Sequence, residues 1–131
     1  MLSAVGGAPQ PGERLLFVGR DFDFQLTSDQ ALTKMFGGTS WIPTRVFAVR
    51  KTGGVTVACA GGLYSAPAKG GTAFVPAAQV WTAVTGTFGF ANATLAALTV
   101  ALAVSTVYFS LTTGSTGAVT GDVFVFGNVV D

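Results

Sequence analysis

Between Lys69 and Asp122 the chain carries no Asp, Glu, Lys or Arg. An uncharged run of that length constrains the fold more than any motif, because it must either span a membrane or be buried in packed structure and contacts between copies. Leu95 to Leu111 is the best membrane candidate and sits at the short limit for a helix crossing a bilayer. It contains Thr99, Ser105, Thr106 and Ser110, is bracketed by Gly-rich turns, and has no flanking Lys or Arg to orient it. Burial between packed sheets and between subunits is therefore the expectation. Half of the 131 residues are hydrophobic and 10% are charged, against roughly 25% charged in an average soluble domain. With 18 Gly, 11 Phe and a mean hydropathy of +0.58, this is one β-rich domain rather than a disordered chain.

Charge and reactive side chains narrow the function classes. Seven Lys/Arg against six Asp/Glu give a formal net charge of +1, so no basic excess exists to neutralise a phosphate backbone, and no nucleic-acid or membrane partner is expected. The absence of His argues against most acid–base enzymes and, with Cys59 as the single cysteine, against a zinc site. One cysteine also excludes an intrachain disulfide. The opening Met1 to Pro9 lacks the charged start and apolar run of a signal peptide, so synthesis and use without export by that route are expected.

Residues 1–12 are small, Pro- and Gly-bearing and uncharged, and read as an extended arm preceding a single domain over 13–131. From Asp21 the pattern alternates, with Asp21, Asp23 and Gln25 facing one way and Phe22, Phe24 and Leu26 the other, as in a half-buried strand. Thr27 with Gln30 fits a capping box, and Leu32 with Phe36 at i,i+4 supplies an apolar face, which predicts one short helix. Thr44 to Lys51 reads as a strand apolar on both faces, because Val46 and Ala48 alternate with Phe47 and Val49. Thr52-Gly53-Gly54 then predicts a hairpin over Arg45 to Ala60, with Cys59 in the core.

Further strands are expected around Thr82 to Phe90, over Leu98 to Val104 (where a helix can also be drawn), over Val107 to Leu111, and over Val123 to Phe126. Seven to nine short strands with Gly-rich turns predict an all-β fold, a jelly-roll-like β-sandwich with one short helix in the amino-terminal third.

Few residues carry candidate chemistry. Asp21 and Asp23 would lie on one strand face about 7 Å apart, within reach of acid–base or metal-ligand roles, but no further ligand cluster accompanies them; the expectation is a solvated edge. The Gly-Gly pairs at 6–7, 37–38, 53–54, 61–62 and 70–71 begin no phosphate-binding motif and read as turns. Arg45, Arg50 and Lys51 form the only basic cluster, on a strand that also carries Phe47 and Val49 and follows Trp41. These six residues are the candidate interface. No catalytic, cofactor or metal residue is assigned.

The stretches Trp41 to Val46, Ala60 to Gly71, Val107 to Thr113 and Gly121 to Gly127 together resemble small structural proteins of tailed bacteriophages, of which those with assigned roles are capsid decoration, or cement, proteins. The resemblance covers Trp41 to Asp131. It implies a β-sandwich that oligomerises, often as a homotrimer, on the outer surface of the head, with the major capsid protein as partner, no cofactor, and synthesis in the host cytoplasm. The alternatives are a jelly-roll carbohydrate-binding module, in which Trp41, Trp81, Tyr64 or Tyr108 would form a stacking platform, and a small tail or baseplate component.

Overall fold

A computed structural model describes residues 12–53, 58–81, 84 and 89–130. The predicted amino-terminal arm therefore lies, but for Gly12, outside the described residues. The protein is all-β: β1 (Arg14–Asp23), β2 (Gln30–Lys34), β3 (Trp41–Gly53), β4 (Ala60–Ala66), β5 (Gly70–Val75), β6 (Phe90–Asn92), β7 (Val107–Thr113) and β8 (Val119–Val129). All pairings are antiparallel, in the order β5-β4-β7-β2-β1-β8-β3-β6.

The sheet curls back on itself. Trp41 of β3 and Phe74 of β5 stand near opposite ends of the strand order, yet their rings meet edge to face at 5.5 Å. Strand β2 makes the corner: Gln30, Ala31 and Leu32 pair with β7, whereas Thr33 and Lys34 pair with β1. The concave side holds one aromatic core, in which Phe109 stacks with Phe22, tilts against Phe24 and meets Trp81 edge to face at centroid distances of 5.3–5.6 Å. Such pairs add about 0.5–1.5 kcal/mol each beyond the area they bury.

The expected helix over Thr27 to Phe36 is absent, and β2 occupies that position. Leu32 and Phe36, four apart, share a face in a strand as well as in a helix, so their spacing does not separate the two. Neighbouring strands on both sides decide it, and the Gln30 amide bonds the backbone N–H and C=O of Asp23 instead of capping a helix. Of the expected Arg45 to Ala60 hairpin, residues 54–57 lie outside the described residues. Strand β3 pairs with β8 and β6, while β4 pairs with β5 and β7, because β8 offers β3 an eleven-residue partner with the same alternation. Cys59 is fully buried, as expected.

Leu98 to Val104 is neither strand nor helix. Residues 93–106 form an irregular strap across the open side of the curl, held by Ala93 N–H to Val46 C=O, Ala96 N–H to Phe74 C=O, and reciprocal bonds between Leu102 and Trp41. Among the described residues no helix is long and apolar enough to cross a membrane. Of the expected strand over Thr82 to Phe90, most lies outside the described residues; Val84 is buried and Phe90 opens β6.

Gly61-Gly62, expected as a turn, instead lies inside β4. A Cβ on Gly61 would stand 2.3 Å from the Leu111 Cα, and one on Gly62 would stand 2.1 Å from the Val75 carbonyl oxygen. The pair thus lets β4 and its neighbours approach more closely than any side chain permits.

Candidate functional site

The alternation of β3 and β8 fills the core with one set of side chains and leaves a second apolar set on the convex side. Val46 and Ala48 of β3, with Val123 and Val125 of β8, are fully buried. Phe47, Phe124 and Phe126 point the other way and are partly exposed. Phe47 stands directly opposite Phe124, Arg45 opposite Phe126, and Val49 opposite Phe90 of β6. From Phe47, ring centroids lie 5.2 Å to Phe124, 5.3 Å to Phe90 and 5.6 Å to Phe126, with interplanar angles of 31°, 32° and 14°. Four phenylalanines on three adjacent strands therefore form one continuous outward aromatic face.

Charged groups ring this face, and each is paired within the chain. At one end the Arg45 guanidinium lies 4.9 Å above the Phe126 ring and 5.8 Å from Phe47, and donates to the Glu13 carboxylate at 2.9 Å. Glu13 precedes β1, so its side chain reaches past β8 to touch both Arg45 and the Thr44 hydroxyl. At the other end Lys51 meets Asp21 at 2.6 Å, and Arg20 meets Asp122 at 3.7 Å. The hydrogen bond and charge of Asp21 hold the Lys51 ammonium above its usual pKa.

The six candidate interface residues separate in space. Arg45, Phe47 and Val49 lie on the outward face; Lys51 sits at its rim, and Arg50 is partly buried with its N–H bonded to Gly89 C=O. Trp41 is not a surface residue. It is fully buried against Phe17 and Phe74, with its indole N–H donating to Val104 C=O at 3.0 Å, because the Leu102 strap closes over it. Its proximity to the cluster in sequence carries no proximity to the surface: a bulge between Pro43 and Arg45 resets the alternation after Trp41. Sequence reasoning missed Phe90, Phe124 and Phe126 as surface groups. The signal for two of them was present, since Phe124 and Phe126 alternate with Val123 and Val125 and so occupy the second face of a two-sided strand.

The remaining candidates have structural partners. The Asp21 carboxylate is engaged by Lys51, its backbone N–H donates to Asp122, and its φ of 56° marks a bulge in β1. Asp23 Oδ1 accepts from Gln25 N–H, closing the turn after β1. Burial pushes the Cys59 thiol up to about 11, which keeps it protonated at neutral pH and unreactive. Of the proposed carbohydrate platform, Trp41 and Trp81 are fully buried and Tyr64 nearly so, leaving Tyr108 partly exposed. Among the described residues no group of three or more His, Cys, Asp or Glu gathers to hold a metal. Comparison with known proteins gave no match to any family, curated protein or solved structure.

Proposed function

We propose that this protein is a structural virion component that decorates a bacteriophage head, attaching to the major capsid protein on the outer surface and reinforcing the shell. The observation that carries the reading is the outward aromatic face of Phe47, Phe90, Phe124 and Phe126, with Arg45 over the Phe126 ring and further ion pairs at its ends. Apolar centres with polar rims are the anatomy of protein–protein interfaces, and contiguous apolar patches on sheet surfaces mark sites of association. The resemblance of Trp41 to Asp131 to small structural proteins of tailed bacteriophages supports this kind of assembly, and the curled all-β body, read as a sandwich, suits the role. Synthesis in the host cytoplasm follows from the same reading.

With a net charge of +1, attachment relies on apolar contact and not on steering by charge. The test mixes purified protein with undecorated heads, and separately with DNA, at low salt and at about 0.5 M salt, where the Debye length falls to a few ångströms. Co-sedimentation with heads at both salt concentrations and none with DNA is the expected result. Salt-sensitive binding to DNA with none to heads overturns the reading.

A further inference from the structure

We infer that the groove beside the strap is a strand-binding slot and that its occupant is the chain's own segment 1–11, added there as one more strand. The inference does not rest on the head-binding reading, and the groove shares no residue with the aromatic face. It has a volume of about 380 Å³ and is lined by Thr72 of β5 and by Ala97 to Leu102 of the strap. The strap is bonded at both ends of this stretch, by Ala96 N–H to Phe74 C=O and by the reciprocal bonds of Leu102 with Trp41. Between these points, Ala97 to Ala101 make no hydrogen bond to any other described residue. Five consecutive residues therefore offer backbone N–H and C=O groups that water or a further backbone must satisfy.

Both walls of the groove suit an extended ligand. Ala97 to Ala101 has Thr99 and Val100 at its centre, residue types that favour strands, and Val100 is 74% exposed. Strand β5 is last in the strand order, so the opposite wall is a sheet edge. An edge facing unpaired backbone is a template for one more strand, held by main-chain hydrogen bonds. No charged residue lines the groove, so a matching segment carries no charged side chain.

Met1 to Pro11 meets that condition, and its point of attachment puts the groove within reach. The segment joins the described chain at Gly12, and the next side chain, Glu13, is pinned to Thr44 and Arg45 of β3. Trp41 lies three residues back along β3, and Leu102 pairs with it on the side away from β8. Three strand spacings of about 4.8 Å and three residues of about 3.4 Å place Glu13 roughly 18 Å from the groove mouth at Leu102. Gly6 to Pro11 span that distance when extended at about 3.3 Å per residue. Pro9 and Pro11, which have no N–H to pair, fall in this spanning part. Met1 to Val5 are left to lie beside Ala97 to Ala101, five residues against five.

Tethering lets so short a strand bind. A flexible link gives an effective concentration of about 1 mM, so a segment whose free peptide binds with a Kd of about 100 μM is docked in about nine molecules of ten. Amides covered in this way exchange with solvent about tenfold more slowly.

The experiment is hydrogen exchange of the Ala97 to Ala101 amides, followed by NMR. It compares the full chain, a chain lacking residues 1–11, and the full-length double variant Ser3→Pro/Val5→Pro, with circular dichroism confirming each fold. Proline removes backbone donors from the segment without altering its charge, and it keeps the test decisive should the truncated chain fail to fold. The expected result is exchange about tenfold slower in the full chain than in either variant, at a rate independent of protein concentration. Synthetic peptide 1–11 at about 1 mM should restore the protection to the truncated chain. Equal exchange in all three proteins overturns the inference, as does protection that survives the proline substitutions. Protection that grows with protein concentration also overturns it, since the slot would then take the segment of a neighbouring copy. Binding to heads is measured separately, so failure of either reading leaves the other standing.

Discussion

The turn joining β4 and β5 holds two ordinary L-residues in the left-handed region. Ala68 and Lys69 have φ of 58° and 57°, and Gly70 N–H bonds Pro67 C=O at 3.2 Å across them. Positive φ at both central positions defines the type I′ hairpin turn, which favours Asn-Gly. Each L-residue other than Asn, Asp or Gly gives up roughly 1–2 kcal/mol in that conformation. The turn is nevertheless fixed from outside: Ala68 N–H donates to the Asp29 carboxylate at 2.7 Å, and the Lys69 ammonium donates to Thr27 C=O at 3.0 Å.

Replacing Ala68 with Asn relieves one of the two strained positions and keeps both of those bonds, since one uses the Ala68 backbone and the other the Lys69 side chain. Recovering about half of the strain gives a gain of about 0.5–1 kcal/mol. For a domain of this size that corresponds to a rise in Tm of about 2–4 °C. Ala68→Val, which puts a β-branched side chain in the left-handed region, should lower Tm by at least as much. Thermal unfolding followed by circular dichroism, with urea titration as a second measure, gives both values. Equal midpoints for the three proteins, or a less stable Ala68→Asn, would refute the assignment of strain to this turn.

Two further outcomes follow from buried groups. The Cys59 thiol is held up to about 11 by burial, so between about pH 9 and 11 the unfolded chain releases this proton while the folded chain keeps it. Stability therefore falls as pH rises, by at most about 2.7 kcal/mol at pH 11; Cys59→Ala should lose that share of the slope, and parallel urea midpoints against pH for the two proteins would count against it. Trp41→Ala should cost about 3–5 kcal/mol of monomer stability, through the lost contacts to Phe17 and Phe74 and the unpaired Val104 carbonyl. A variant of unchanged stability but altered association would restore Trp41 to the surface.

What the sequence determined by itself is the class of structure and the two-faced character of its strands. Alternation in Val107 to Leu111 and in Val123 to Phe126 specified β7 and β8, and Val46 and Ala48 against Phe47 and Val49 specified β3, because a period of two is a local property of the backbone. The buried thiol of Cys59 was legible for the same reason. Pairing was decided only by the tertiary structure. No local signal in β3 encodes β8, whose eleven residues pair along it from Trp41 to Gly53. The helix expected around Leu32 gave way to a strand because β1 and β7 offer backbone partners on both sides of it. Leu98 to Val104 carries the apolar alternation of a strand and became a strap, since Phe74 and Trp41 need covering at the open side of the curl. The outward aromatic face is likewise a tertiary property: Phe90 lies far in sequence from Phe47, which lies far from Phe124 and Phe126. Only the order β8-β3-β6, set by long-range pairing, brings the four rings together.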